Sequence, residues 1–486
     1  VSDRHAHGIV WMRRDLRLDD HAALFAAADR CERITCVFVL DDALLRGPRV
    51  GAPIVQFFFD SLAVLREHLR AAGSDLALRE GPFAHELHAV AKHVGATAVF
   101  YNEDYEPAMR ERDATVTREL EGAGLAVYAF TDHVLAGAGD VLQDSGKFYT
   151  VYTPYRRRWN ALLEADPRTP IASLRKARGK FAPASDIGRS LAVPKPERYG
   201  HAHSDRFPAG GIDAATRALH AFVAHHASAY ADARNAPALD ATSHLSPHLR
   251  AGTIGIRTAY DAAQKLRATV PASAKTGIDT WIGELTWRDF YQQLLVHAPR
   301  VASEPFVESA KKIRYRDDER AWDAWANGTT GYPIVDAAMI QLNTTGWMHN
   351  RLRMIVASFL TKHLLIDYRR GERYFEQHLA DADLGANNGG WQWSASTGTD
   401  AAPYFRVFNP TLQGKTYDPD GAFVKAMLPA LAKLPPKYVH EPSALPPLLA
   451  AEYGFAPGRD YPEPIVDHKE ARARALDVYG RALSRP

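Results

Sequence analysis

Cysteine is almost missing from this chain: Cys31 and Cys36 are the two in 486 residues. They stand five apart with no CxxC, which excludes a disulfide framework and a cysteine-rich zinc site and fits a reducing cytoplasm. Long apolar runs are missing too. None reaches the roughly 18 residues that a membrane span needs. The first twenty residues, VSDRHAHGIVWMRRDLRLDD, carry no apolar signal-peptide core, so a cytoplasmic setting with no membrane association is expected. Charge of one sign is not in excess: the formal net charge is +2. A balanced total excludes no nucleic-acid partner, because a basic groove can hide inside it. No GxGxxG follows the first apolar run, so the usual dinucleotide fingerprint is missing. Near the acidic pair Asp381 and Asp383 no histidine pair or third carboxylate sits at metal spacing, and no metal site is expected.

The length makes two domains the prior. Over residues 1–130 short apolar runs (GIVWM, RITCVFVL, DLALRE, ATAVFYN, LAVYAF) alternate with helical patterns, which argues an α/β domain with a parallel, doubly wound sheet. Residues 131–211 scatter Pro, Gly, Ser and basic residues without a lasting period and read as a long connector over the surface. From 212 to 486 helical spacing dominates, as in TGIDTWIGELTWRDFYQQLLVH and NRLRMIVASFLTKHLLI, so this part is expected to be all-α.

Four stretches carry chemistry. In TWIGELTWRDFY, helical spacing puts Trp281, Glu284, Trp287 or Arg288, and Tyr291 on one face. The bland reading is an aromatic core stripe with a solvated edge. In GWMHNRLRM, Asn350 and Arg353 are three apart and Arg351 points elsewhere; an Asn amide suits a flavin or base edge, whereas Arg353 alone is as well explained as a surface arginine. Asp381, and Asp383 at the head of DLGANNGGWQWSASTGTDAAPYF, precede Asn387, Asn388, two glycines, Trp391 and Trp393. Paired carboxylates suit acid/base work or a metal, but asparagines are poor acids and bases. The set looks like a hydrogen-bonding edge for a flat heterocycle. ATSHLSPHL at 241–249 offers hydroxyls before a helix, which suits phosphates and equally an ordinary N-cap.

Together these pieces resemble the DNA photolyase/cryptochrome family, closest to bacterial class I cyclobutane pyrimidine dimer photolyases. VWMRRDLRLDD, TSHLSPHLRAG, WIGELTWRDFY, TGYPIVDAAMIQLNTTGWMHNRLRMIVASFLTKHLLID and DLGANNGGWQWSASTGTDAAPYFRVFNP carry the likeness, which runs over essentially the whole chain. The resemblance implies an antenna-binding α/β domain, a connector and a helical domain that binds FAD and DNA. It implies non-covalent FAD, active in its reduced anionic form, which donates a light-driven electron to a flipped-out pyrimidine dimer. No obligate protein partner is implied.

By the same resemblance, Tyr230, Thr242, Ser243, Leu245 and Ser246 line the FAD phosphates and ribityl chain. Trp281 and Arg288 line its cavity. Asp381 and Asp383 stand near the flavin edge, with Arg353 as ion-pair partner of Asp381, and Asn387 faces flavin N5. Glu284 and Asn350 hydrogen-bond the lesion; Trp287, Trp393 and Met354 pack against it; Arg351 and Arg406 serve DNA binding. His349 is followed by Asn350 and Met354 rather than by a second histidine, which favours the cyclobutane dimer over the (6-4) lesion. A light-sensing cryptochrome is the alternative of a different class; Asn387 and the lack of a long tail after VDHKEARARALDVYG speak for repair.

Two departures from the family pattern stand out. The usual tryptophan relay to the flavin keeps Trp391 but has Tyr368 and Tyr315 at its second and third places. Proton-coupled tyrosine relays, or a branch through Trp325, are the alternatives. The folate-antenna positions read Met109 and Ala302, so a deazaflavin-type antenna is expected before folate, in a pocket lined by Arg13, Asp41, Asp104 and Arg250, unless that cleft is empty.

Overall fold

Near-continuous apolar strands can be buried on both faces only in a parallel sheet with helices on either side. The computed structural model, which describes residues 4–483, has that arrangement at its start. Strands β1 (His5–Met12), β2 (Cys31–Leu40), β3 (Ala77–Glu80), β4 (Ala98–Asn102) and β5 (Ala126–Phe130) form one sheet in the order β3-β2-β1-β4-β5. All four pairings are parallel, with Val10 opposite Cys36 and Phe100, and Phe38 opposite Leu78. Side chains alternate as strand geometry requires. Val10, Met12 and Cys36 enter one core, and Ile9, Trp11, Val37 and Val39 enter the other. Gly8 allows β1 to sit close to its neighbours: a Cβ there would meet Cys31 Sγ at 2.5 Å. The chain reverses its winding between β1 and β4, and such a switch point opens a crevice at the carboxyl ends of the strands.

The helices that follow dominate the rest of the chain. The chain forms two compact units. The first holds Val1–Ala231, Thr242–Pro299 and Ala380–Gly385; the second holds Asp232–Ala241, Arg300–Leu379 and Ala386–Pro486. The helices after residue 212 are thus shared between the two units.

The stretch read as a surface connector contains a helix, Tyr152–Ala165, with Tyr152, Tyr155, Trp159 and Leu163 buried. These residues are spaced by three and four, a helical stripe that Pro154 and the run Arg156–Arg157–Arg158 obscure. The stripe joins the core of the first unit with Leu219, Phe222, Trp281 and Phe290. Among the described residues, no helix is long and apolar enough to cross a membrane, and no three His, Cys, Asp or Glu side chains converge as a metal site would.

Candidate functional site

In the first unit, the helix Ala272–His297 divides its aromatics by depth. Trp281 is in the core with its ring centroid 5.1 Å from Phe222. Glu284, Trp287, Arg288 and Tyr291 are half-buried, so the single aromatic face expected from spacing is two faces. Trp287 is held flat: Tyr152 stacks on it with centroids 3.6 Å apart and planes 3° apart. The Tyr152 hydroxyl donates to the Gly283 carbonyl at 2.8 Å, one turn before Trp287. Tyr152 comes from the connector helix, and sequence reading missed it.

Arg288 donates to the backbone carbonyls of His133 and Leu249. The adjacent Asp289, also missed, accepts from the Leu135 and Ala136 amides (both 3.0 Å) and from Trp159 Nε1 (2.9 Å). Its second oxygen has no partner, and burial pushes its pKa up to about 6 against the pull of those donors. Arg288 and Asp289 together clamp residues 133–136 to the helix.

The hydroxyl-rich turn lies before the helix Ser246–Ala251. Thr242 and Ser243 are half-buried, Ser246 is exposed and Leu245 is buried. His244 takes a left-handed φ of 50°, which turns the backbone. Tyr230 is buried, edge-on to Phe222 at 5.7 Å. Asp381 and Asp383 are buried in the same unit. Asp383 accepts from Gln292 Nε2 at 2.8 Å and pairs with Arg14 at 2.9 Å. Arg14 also pairs with Asp104 and Glu106.

That charge network leads into a cleft of about 160 Å³ at the carboxyl ends of β1, β2 and β4. Arg13, Asp41, Asp104 and Arg250 all line it. Its walls are mostly apolar, with Phe38, Leu40, Ile54, Phe58 and Phe83 among them. Arg13 is committed to Asp113 at 2.5 Å and to the Asn102 carbonyl, while Arg250 donates to the Ala382 carbonyl at 2.7 Å. Asp41 caps the short helix Asp42–Leu45. The polar rim is therefore fixed in place before any ligand arrives.

In the second unit, Asn350 opens the helix Asn350–Ser358 and is exposed. Arg353 and Met354 are half-buried, and Arg353 Nε donates to the Met348 carbonyl at 2.8 Å. Arg351 points away from them, to Asn235 Oδ1 at 2.7 Å and over the Tyr417 ring at 4.4 Å. Trp393 is half-buried and Arg406 is exposed. Asn387 Nδ2 donates to the Glu372 carbonyl at 3.0 Å. This leaves its Oδ1 as an acceptor with no donor among the described residues. Trp391 is buried with Nε1 unpartnered, and Tyr368 is buried with its hydroxyl unpartnered. Tyr315 packs with Tyr479 and Leu365.

Does this donor set fit FAD? Buried polar atoms without partners are rare in native folds and cost about 1–3 kcal/mol each. Gln292 Oε1 in the first unit and Trp391 Nε1 in the second are two such atoms. In the first unit the hydroxyls of Thr242, Ser243 and Ser246 suit a phosphate tail, and in the second Trp391 Nε1 and the open acceptor of Asn387 suit the edge of a polar heterocycle. The residues fit the group.

Comparisons with known proteins agree. Residues 281–481 match the family model described as the FAD binding domain of DNA photolyase, and residues 8–173 match that of DNA photolyase. A deoxyribodipyrimidine photo-lyase of Halobacterium salinarum is 41% identical over 98% of this chain and 99% of its own length. A class III photolyase of Agrobacterium tumefaciens superposes with a TM-score of 0.89 at 37% identity, covering 99% of this chain and 98% of that one. An archaeal photolyase of Sulfolobus tokodaii with two FAD molecules does so with a TM-score of 0.81 at 31% identity, covering 98% and 100%.

Proposed function

The chain belongs to the DNA photolyase family, and from that premise we propose that it repairs DNA by splitting cyclobutane pyrimidine dimers with light. It is a lyase and a flavoprotein. The observation that carries this reading is the end-to-end 41% identity to a deoxyribodipyrimidine photo-lyase. The division of labour is an antenna-binding part in 1–130, a connector in 131–211, and the FAD- and DNA-binding part in 212–486.

Bound, reduced FAD supplies the light absorption and the electron; the protein supplies geometry and electrostatics. Tyr230, Thr242, Ser243, Leu245 and Ser246 hold its phosphates and ribityl chain. Trp281 and Arg288 wall the cavity, and Asp381, Asp383 and Arg353 set the charge at the ring edge. Asn387 offers a neutral carbonyl oxygen to the N5 side. A neutral group there tolerates the reduced, anionic ring where a carboxylate would repel it.

Flipping a dimer out of the duplex costs least where stacking and pairing are already damaged. Trp287 and Trp393 then replace the lost stacking, as aromatic rings do for single-stranded bases, and Met354 fills the gap beside them. Glu284 and Asn350 hydrogen-bond the base edges. Arg406 binds phosphate and fixes register without reading sequence, and Arg351 adds to DNA binding. The cleft at the ends of β1, β2 and β4 takes a flat antenna chromophore of deazaflavin or flavin type. The protein works in the cytoplasm, beside the DNA, with no obligate protein partner.

The test is light-dependent recovery of thymine absorbance from irradiated oligothymidine, with reduced protein, against a dark control. Recovery in light alone is expected. Bound FAD with no recovery would move the reading to a cryptochrome-like photoreceptor.

A further inference from the structure

Three tryptophans of the second unit line up from the core to the surface. Trp391 is 2% exposed and Trp325 is 0% exposed. Their centroids are 6.1 Å apart at 68°. Trp325 and Trp322 lie one turn apart on the helix Glu319–Asn327, with centroids 5.3 Å apart at 34°. Trp322 is half-buried and reaches solvent. Gly371 makes room for the inner ring, since a Cβ there would meet Trp391 at 2.2 Å. Tyr374 and Phe375 pack edge-on or stacked around Trp325 and hold its orientation.

We propose that Trp391, Trp325 and Trp322 form the electron path that recharges the flavin from solvent. The proposal rests on the photolyase reading and names its residues for cofactor reactivation. On illumination of protein with oxidised flavin, Trp391 loses one electron to the cofactor. Trp325 refills Trp391, and Trp322 refills Trp325. Trp322 then loses its Nε1 proton to water, which stops the charge from returning. A solvent thiol gives Trp322 one electron and one proton and leaves as a thiyl radical, so electrons and protons balance.

Direction follows from the protons. Trp325 Nε1–H donates to the buried Val356 carbonyl at 3.1 Å and has no base to receive its proton. It can only pass the charge on. Trp322 alone of the three meets water. The Arg370 guanidinium lies 4.0 Å from the Trp322 ring centroid, but Glu319 pairs with Arg370 through both oxygens and offsets its charge. The tyrosine route lacks these features. Oxidising a tyrosine requires its proton to leave, and the buried Tyr368 hydroxyl has no acceptor. Burial raises the pKa of Tyr368 and of Tyr315. Tyr368 makes no aromatic ring contact among the described residues, so no ring bridges it to Trp391.

The experiment uses the FAD-loaded full chain, with a thiol as donor, and follows flavin photoreduction together with the protein radical by transient absorption. Trp322→Phe and Trp325→Phe are expected to lose photoreduction and the long-lived neutral tryptophan radical. Tyr368→Phe/Tyr315→Phe is expected to keep both. Trp322 is near the surface, so Trp322→Phe decides the matter even if Trp325→Phe misfolds. Full photoreduction in Trp322→Phe, or a tyrosyl radical in the parent whose loss in Tyr368→Phe abolishes photoreduction, overturns the path. Dimer splitting by chemically reduced parent protein is scored separately: its failure would refute the repair reading, whereas loss of photoreduction alone would not.

Discussion

Tyr152→Leu isolates the contact that holds Trp287 flat. Tyr152 gives Trp287 a parallel ring at 3.6 Å and anchors itself through its hydroxyl at 2.8 Å to Gly283. A stacked aromatic pair is worth about 1 kcal/mol beyond its area. A buried neutral hydrogen bond adds about 1 kcal/mol. Leucine keeps much of the volume but forfeits both, so about 2 kcal/mol of local order is lost. If Trp287 must be ordered again on binding, that energy is drawn from the lesion complex and the Kd for dimer DNA rises by up to about 30-fold. Undamaged DNA does not use Trp287, and its Kd should stay within about twofold of the parent's. Tyr152→Phe keeps the stack, loses only the hydroxyl contact and should shift the dimer Kd by less than about tenfold. The assay is a dark equilibrium titration of matched oligonucleotides with and without one dimer, with flavin content as the folding control. Unchanged dimer affinity in Tyr152→Leu, or equal loss on both DNAs, would refute the reasoning.

Arg406→Ala should weaken damaged and undamaged DNA alike and lower the salt slope of log K by about one unit, checked by titrations at several salt concentrations. Gly371→Ala forces a Cβ to 2.2 Å from Trp391 and 2.6 Å from Leu360, and should cost roughly 1–3 kcal/mol in denaturant unfolding. Lys362 is 1% exposed, and burial, with Arg406 adding repulsion, holds its pKa down to about 8 from 10.5. The folded state therefore binds this proton less tightly than the unfolded chain. A penalty of about 3 kcal/mol is present below pH 8 and lifts as pH rises toward 10.5. Lys362→Met should remove that rise, measured as unfolding free energy against pH across this window.

Much of the α/β part was legible because parallel strands announce themselves as apolar runs, and GIVWM and RITCVFVL became β1 and β2. The cleft residues Arg13, Asp41, Asp104 and Arg250 come from four distant segments, and the order β3-β2-β1-β4-β5 explains why three of them meet. They follow the ends of β1, β2 and β4, where a doubly wound sheet opens. The helix Tyr152–Ala165 was hidden by a proline in its first turn and by three successive arginines, of which Arg157 and Arg158 are exposed. Pro is tolerated in a first turn because its missing N–H had no partner to lose. Asp289 went unread in the sequence, because its three donors come from residues 135, 136 and 159. No local pattern encodes that meeting. The same holds for Trp391 and Trp325, which are 66 residues apart in sequence and 6.1 Å apart between ring centroids.

The most direct test of the central claim uses two duplexes, one carrying a single cyclobutane thymine dimer and the other a single (6-4) lesion. Each is mixed with chemically reduced, FAD-loaded protein, kept dark or given blue light, and digested for chromatography. The account predicts restored thymines from the cyclobutane duplex, in light only, and none from the (6-4) duplex. Restoration of the (6-4) lesion alone, or of neither in light, would contradict it.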